Sequence, residues 1–195
     1  STRGESYPQQ GHLPVVKDIG CSLKEDVLRR DFTINAMAEN TLTGEIIDYT
    51  NGLDDIKNKT LRVLHDESFI DDPTRILRGL KFAVRFGFEL DEHTKKLQDE
   101  YLKNINYDMS YKRLKKELVE TFNSSIAFER FITQKIYKLI SPNNKNIKFD
   151  FEKIREIENL VKTYNPQNVW IIYVGLLPDI SSLPLTKQEK KIIDD

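Results

Sequence analysis

The sequence has almost no cysteine and no long apolar run. Among its 195 residues Cys21 is the single cysteine, so no internal disulfide can form, which favours a reducing cytoplasmic location. No stretch of about 18 apolar residues is present, and this excludes a transmembrane helix and predicts no membrane partner. The chain starts Ser1-Thr2-Arg3 without a methionine or an apolar signal segment, which predicts a fragment of a longer protein.

Neither sign of charge is in excess, and the patterns of several kinds of active site are lacking. The 30 basic and 31 acidic residues give a net charge of −1, so any RNA contact needs a local basic patch. His12, His65 and His93 lack metal-ligand spacing. No glycine-rich phosphate loop and no Ser-His-Asp or Cys-His pattern is found. We therefore predict no metal site in this sequence.

What is present is one strongly marked helix at residues 72–86. Most of its positions are apolar, which predicts a helix covered on more than one side. Asp72 is a good N-cap, because its carboxylate can accept hydrogen bonds from free amides of the first turn. Pro73 suits the first helical position, and Gly87 suits a left-handed C-terminal cap.

The polar residues of this helix follow a regular spacing. Asp72, Arg75, Arg78 and Lys81 are each three residues apart, so they form a stripe along one face. Arginine forks and a carboxylate are suited to base edges and phosphates, which makes the stripe a candidate nucleotide site. The alternative is a capping acid followed by a solvated cationic face, and composition alone favours that alternative.

Residues 22–49 predict a helix followed by a hairpin. Ser22 and Glu25 have the spacing of a capping box, so a short helix should run from residue 23 to about residue 30. Apolar residues alternate from 32 to 38, which favours a strand, and residues 45–49 supply its return strand.

The junction between that helix and strand holds dense polar chemistry. Arg29, Arg30 and Asp31 are consecutive, and Asn35 follows four residues later. Arg30 could hold a triphosphate and Asp31 could accept from a ribose hydroxyl, with Arg29 and Asn35 as possible support. A buried ion pair that fixes the junction explains the same residues equally well.

The remainder of the sequence is predicted to be helical. Helices are expected at about 92–103, 111–123, 125–140, 152–164 and 167–177, with another beginning at 186. Residues 1–65 are the small α/β portion, so the fold class is α+β and mainly α. The cluster of Lys112, Arg113, Lys115 and Lys116 could touch an RNA backbone, although a solvated face is the commoner outcome.

Four ordered segments of the sequence resemble one family. Residues 29–36 read Arg-Arg-Asp-Phe-Thr-Ile-Asn-Ala, 44–62 contain a Gly-Leu-x-Asp-Ile turn, and 71–78 begin Asp-Asp-Pro-Thr-Arg. Together with 109–118 they resemble the motifs of class II tRNA nucleotidyltransferases (CCA-adding enzymes) and bacterial poly(A) polymerases of the polymerase β superfamily. Residues 169–177 look like the start of that family's helical body.

The resemblance implies an organisation and a function. It implies the end of a polymerase β-like head at residues 1–65, a neck at 66–125 and the start of an all-helical body at 126–195. The parent protein would be an enzyme that adds CCA, or part of it, to the 3′ ends of tRNA or other RNA from CTP and ATP. A poly(A) polymerase and a non-catalytic helical RNA-binding or interaction module are the alternatives. The oligomeric state is left open.

The resemblance also assigns roles to residues. Asp72 and Arg75 would present hydrogen-bonding groups to the base edge of CTP or ATP. Arg30, Arg78 and Lys81 would line the nucleotide and its phosphates, and Asp31 would lie near the ribose. Two departures bear on nucleotide preference: the family has a Glu in place of Asp71 and usually an Arg in place of Lys81.

The family's metal-binding segments are missing from the sequence. Its Gly-Gly-x-x-Arg-Asp segment and its Asp-x-Asp pair, which bind Mg²⁺, would lie upstream of residue 1. The resemblance therefore implies no catalytic residue and no metal ligand in this chain, because a two-metal clamp needs those carboxylates. We expect the chain to be inactive alone.

Overall fold

The computed structural model describes residues 2–194, and helices predominate in that part of the chain. The strands are β1 (Arg3–Ser6), β2 (Val15–Ile19), β3 (Met37–Glu39), β4 (Ile46–Asp48), β5 (Thr60–Leu61) and β6 (Glu89–Leu90). The helices are α1 (Leu23–Leu28), α2 (Gly52–Lys57), α3 (Ser68–Asp71), α4 (Thr74–Phe86), α5 (Glu92–Tyr101), α6 (Tyr111–Thr121), α7 (Ser125–Thr133), α8 (Phe151–Tyr164), α9 (Val169–Val174) and α10 (Lys187–Asp194). This confirms a mainly helical α+β fold.

The six strands form three separate pairs. β1 and β2 are antiparallel, as are β3 and β4, whereas β5 and β6 are parallel, with Thr60 opposite Glu89. The helices α3 and α4 make the connection between β5 and β6. The β3–β4 hairpin confirms the predicted return strand. The β5–β6 pair contradicts the prediction that the chain is purely helical from α4 onward.

The prediction of one strand over residues 32–38 is wrong. Phe32 makes a single bridge to Val63, and residues 33–35 then form a 3-10 turn before β3 begins. Polar side chains hold this turn, because the Thr33 hydroxyl donates to Asp55 at 2.6 Å and Asn35 Nδ2 donates to Asp31 at 3.2 Å. Local side-chain bonds of this kind offer the backbone an alternative to a strand.

The predicted helix over residues 125–140 is broken. α7 ends at Thr133, Lys135 has a left-handed φ of 59°, and a separate 3-10 turn covers residues 136–139. A non-glycine residue in that conformation cannot continue an α-helix. The helix expected at 167–177 is shorter than predicted, and it covers Val169–Val174.

One hydrophobic core extends through the described chain. It runs from Phe32 to Leu183, and α4 packs against both α6 and α7. Its centre is a group of five aromatic side chains: Phe122, Phe128, Phe131, Phe149 and Tyr173. The core crosses the proposed boundaries at residues 65/66 and 125/126. In the described range, every helix is too short or too polar to cross a bilayer.

Candidate functional site

A cleft of about 570 Å³ opens between α4, α6, residues 29–35 and the segment near the N-terminus. This volume is in the range of small-molecule pockets. The cleft is lined by Arg3, Glu5, Tyr7, Leu13, Pro14, Arg29, Arg30, Asp31, Asn35, Asp72, Arg75, Arg78, Phe82, Arg113 and Glu117. Five of the six residues predicted to bind a nucleotide are therefore brought together, with both predicted support residues.

Asp72 lies at the start of α4 and is almost fully buried. Its Oδ1 accepts hydrogen bonds from the backbone amide of Thr74 at 3.1 Å and from its hydroxyl at 2.6 Å, as expected for a cap. Its other oxygen forms an ion pair with Arg113 of α6. At the far end of the helix, Gly87 has the predicted left-handed conformation. The helix begins at Thr74 with Pro73 at its N-cap, one residue later than predicted, and Asp72 holds this first turn through Thr74 and joins α4 to α6.

Arg75 is buried and joins three segments of the chain. It is only 3% exposed, and its Nη1 donates to Ser68 Oγ of α3 at 2.7 Å. Its Nη2 donates to the Tyr7 hydroxyl and to the Arg29 carbonyl, each at 3.1 Å. These hydrogen bonds hold the guanidinium in one orientation at the cleft. Arg75 therefore does not belong to a solvated cationic face, which was the alternative interpretation of this helix.

Arg78 and Asp31 form an ion pair across the cleft. Arg78 Nε donates to Asp31 Oδ2 at 2.7 Å, and Arg78 Nη2 lies 2.5 Å from the same oxygen. The other oxygen of Asp31 accepts from the Phe32 amide at 2.9 Å, so the carboxylate is satisfied on both sides. The Arg78 side chain keeps 34% of its surface exposed, and this exposed part faces the cleft.

Lys81 does not line the cleft. Its Nζ donates to Glu117 at 2.7 Å and to Glu120 at 2.8 Å on α6, so its charge is used between two helices. Asp71 is also outside the lining, with an oxygen 3.9 Å from His65 Nε2. Burial raises the pKa of the Asp71 carboxyl. Asp71 and Lys81, the two residues that depart from the family pattern, are therefore outside the set of residues that line the cleft.

Arg30 is the most exposed of the cations predicted to bind a nucleotide. Its side chain is 43% exposed, and Nη2 lies 3.0 Å from Asp26. Arg29 is more enclosed and pairs with Asp26 at 2.5 Å and with Glu5 at 2.9 Å. Burial opposes ionisation of Asp26, but hydrogen bonds from Arg29, the Arg3 amide and Arg30 outweigh it and lower its pKa to about 2.

Replacing Asp26 by asparagine is expected to lower the free energy of unfolding by about 2 kcal/mol at pH 7. The folded pKa lies below the ordinary value of 3.8, so this stabilisation is complete above about pH 4 and is lost as the pH falls through 2. Urea denaturation at pH 7 and pH 3 measures the difference. Asp54→Asn, at an exposed position of α2, is the control. Equal losses of stability in Asp26→Asn and Asp54→Asn would contradict the stabilising role of the Asp26 carboxylate.

The segment near the N-terminus contributes to the cleft in a way that the sequence reasoning missed. The Gly11 amide donates to the Asp71 carbonyl at 2.9 Å, and the Ser110 amide donates to the Gly11 carbonyl at 3.0 Å. Gly11 has a φ of +75°, and a Cβ there would lie 2.8 Å from Met109 Cβ. Gly11 therefore lets the N-terminal segment contact α3 and α6 at the same time. In the sequence, the glycine itself is the signal of this contact.

The predicted basic cluster divides into two parts: Lys112, Lys115 and Lys116 line one depression of about 400 Å³, and Arg113 lies apart from them. Arg113 enters the cleft and also donates to the His12 carbonyl at 3.1 Å. Lys115 pairs with Glu189 at 2.6 Å and lies over the Trp170 ring, whereas Lys112 and Lys116 are exposed. RNA binding by these residues stays a prediction.

The cleft does not fit a magnesium ion. Its four acids, Glu5, Asp31, Asp72 and Glu117, are each paired with an arginine or a lysine. Over residues 2–194, no three His, Cys, Asp or Glu side chains are grouped so that they could hold a metal. The side chains of the cleft can bind a ligand through charge pairing and hydrogen bonding.

Comparisons with known proteins agree on one family. Residues 1–62 match the poly(A) polymerase head domain. The A-adding tRNA nucleotidyltransferase of Geobacter sulfurreducens is 34% identical over 94% of this chain and 22% of its own length. The A-adding tRNA nucleotidyltransferase of Aquifex aeolicus is 53% identical over 50% of this chain and 12% of its own. The chain thus spans about a fifth or less of these relatives.

Solved structures match over nearly the whole chain. An apo CCA-adding enzyme is 27% identical, with a TM-score of 0.82 over 99% of this chain and 50% of that one. Complexes of CCA-adding enzymes with CTP, with ATP and, from Thermotoga maritima, with tRNA match at 28–29% identity and TM-scores of 0.71–0.72. They cover 88–89% of this chain and 43–47% of the matched chains.

Proposed function

This chain belongs to the tRNA nucleotidyltransferase and poly(A) polymerase family, and we propose that it supplies base selection and RNA contacts for CCA addition, complete or partial, from CTP and ATP. The observation that carries the proposal is the cleft, which gathers Arg30, Asp31, Asp72, Arg75 and Arg78 around one space. These residues come from two separate parts of the sequence. A cleft with several arginines and two acids is suited to a nucleotide, which combines phosphates with a polar base edge.

We propose different roles for the two ends of this group. The side chains of Arg30 and Arg78 stay partly exposed, so they are assigned to the phosphates, and Asp31 is assigned to the ribose. Asp72 and Arg75 are buried and fixed by several hydrogen bonds, so they are assigned to the base edge. Donors and acceptors that are held in one orientation can discriminate between bases, because their geometry suits one hydrogen-bonding pattern and not another.

Addition of A alone is the second candidate within the same family. The two relatives described above, at 34% and 53% identity, are both A-adding tRNA nucleotidyltransferases. A protein restricted to A addition would bind ATP in preference to CTP. The nucleotide titration described next separates the two candidates.

The proposed function is tested by nucleotide binding to the full chain. ATP, CTP, GTP and UTP are titrated against wild type and Arg30→Gln, with Arg85→Gln as the control. Arg85 is an exposed arginine of α4 outside the cleft, so both variants remove one positive charge. We expect ATP and CTP to bind selectively, and Arg30→Gln to weaken triphosphates about tenfold, as for a lost charge-assisted hydrogen bond.

Titrations with the nucleosides adenosine and cytidine, which lack phosphates, test the assignment of Arg30 more specifically. Because Arg30 is assigned to the phosphates, its substitution should leave binding of these nucleosides unchanged. Equal loss of triphosphate binding in both variants would contradict the role of Arg30. Equal binding of all four triphosphates by wild type would contradict base selection.

We propose that the chain does not catalyse the transfer by itself. The family's metal-binding motifs are not in the sequence, and phosphoryl transfer depends on such charge neutralisation. Incubation with Mg²⁺, ATP, CTP and tRNA is expected to give no 3′ extension on a denaturing gel. Extension by the highly purified chain that remains proportional to its concentration would overturn this proposal.

The proposed partner is the 3′ end of a tRNA or of another RNA. The support is the family and the tRNA complex of the Thermotoga maritima enzyme. A cytoplasmic location is proposed on the ground of the single cysteine, Cys21, which leaves no internal disulfide to be formed.

A further inference from the structure

A second depression lies on another part of the molecule. A cleft of about 840 Å³ is bordered by α5, β6 and the residues that follow α7. A smaller cleft of about 400 Å³ adjoins it, and the two share Leu102, Lys103 and Lys138. We call this continuous surface the lysine groove. It has no lining residue in common with the nucleotide cleft.

Five lysines converge on the lysine groove from three parts of the chain. Lys95 and Lys103 are eight residues apart, and at helical pitch this spacing brings them to one face of α5 and its C-terminal extension. Lys135 and Lys138 flank the break after α7, where a 3-10 turn aligns residues three apart. Lys145 follows in the next loop.

These five lysines have no acidic partner in the part of the chain that the structure describes. No carboxylate of residues 2–194 lies within 4.0 Å of their Nζ atoms, unlike Lys81 and Lys115, which are both paired. Three acids, Glu89, Glu92 and Asp99, also line the larger cleft, and Glu89 is engaged by Arg130 at 2.7 Å. The smaller cleft has no acidic lining residue. Five lysines against these three acids leave the lysine groove with an excess of positive charge, which is greatest in the smaller cleft.

The composition of the lysine groove indicates its occupant. Protein–protein interfaces are enriched in aromatic residues, methionine and arginine and depleted in lysine. Here lysines dominate, and neither arginine nor methionine lines either cleft. Asn104 and Asn146 add neutral donors, and Tyr107 adds one ring. Lysines with amide donors are typical contacts of a sugar–phosphate backbone.

We propose that the lysine groove binds the sugar–phosphate backbone of the RNA substrate, away from the 3′ end that enters the nucleotide cleft. This inference rests on the proposed function, because it takes the RNA substrate as the partner. It adds a site that acts on RNA affinity and leaves nucleotide selection unchanged. Backbone contacts of this kind position an RNA without reading its sequence.

The test compares two triple variants of the full chain. Lys103→Gln, Lys138→Gln and Lys145→Gln together remove three charges from the groove. The control combines Lys24→Gln, Lys57→Gln and Lys153→Gln at exposed positions outside it, so that the net charge is the same. Fluorescence anisotropy measures binding of a labelled tRNA transcript lacking CCA at several salt concentrations, and ATP binding is measured beside it.

We expect the groove variant to lose about 10- to 100-fold in tRNA affinity at 0.1 M salt, with the slope of log K against log salt reduced by about 2. The control should lose far less, and ATP binding should be unchanged in both. Equal losses in the two variants would overturn the proposal, as would a wild-type chain that binds no tRNA. Polyglutamate bound as tightly as tRNA would identify an acidic protein segment instead. A chain that binds tRNA through the lysine groove but does not distinguish among nucleotides would contradict the proposed function and leave the proposal for the groove intact.

Discussion

Replacement of Asp72 by alanine is expected to lower the free energy of unfolding by about 3–5 kcal/mol, because it leaves the Arg113 guanidinium without its buried partner. Removal of the cap adds to this loss, since Asp72 also accepts from Thr74 at the start of α4. A helix cap alone contributes about 1 kcal/mol, so the size of the effect separates the two roles. Urea denaturation followed by circular dichroism gives the value.

Two further variants make the Asp72 result decisive. Asp72→Asn keeps an acceptor for Thr74 but removes the charge, so it isolates the ion pair with Arg113. In Arg113→Met the cation is removed, and adding Asp72→Ala to it should cost less than Asp72→Ala costs in wild type. If the two single effects simply add, the ion pair does not contribute as described.

Phe128→Ala is expected to lower the free energy of unfolding by about 3–5 kcal/mol, as for other large-to-small changes in a core. Phe128 is fully buried, and its ring packs against four aromatic rings at centroid distances of 5.4–5.9 Å. The side chain removed thus lies at the centre of the contacts between α6, α7 and α9, and its loss leaves a cavity. Urea denaturation of both proteins at pH 7 measures this difference.

Phe151→Ala is the matched control for Phe128. Phe151 begins α8 with 38% of its surface exposed, so its truncation should cost well under half as much. Equal losses at the two positions would mean that the aromatic group is not the centre of the core. The nucleotide cleft contains neither residue, so comparable ATP affinity in native Phe128→Ala protein is expected.

Elements with local signals could be predicted from the sequence. The end of α4 at Gly87 was predicted, and its start was predicted within one residue, because Asp72, Pro73 and Gly87 act through hydrogen bonds and φ values of their immediate neighbours. The capping box of Ser22 and Glu25 forms for the same reason. In contrast, β5 and β6 are two residues long and 28 residues apart, which leaves no periodic pattern to detect.

The candidate site was partly predictable. The resemblance supplied the residues of the cleft that lie within short motifs, such as Arg30 and Arg78. It did not place Tyr7 in the cleft, nor did it pair Arg113 with Asp72, because those contacts join residues 68 and 41 positions apart. Such contacts depend on how α4 and α6 pack, and packing follows from the core as a whole.

The parallel pair of β5 and β6 has a consequence for relative motion inside the molecule. It joins Lys59 and Leu61, before the proposed head–neck boundary, to Glu89 and Asp91 beyond α4, through backbone hydrogen bonds of 3.0 and 3.1 Å. A hinge at residue 65 would have to break these bonds. We therefore expect the amides of Glu89 and Asp91 to exchange with solvent deuterium as slowly as the buried amides of α4, with the segments before and after residue 65 moving as one rigid unit.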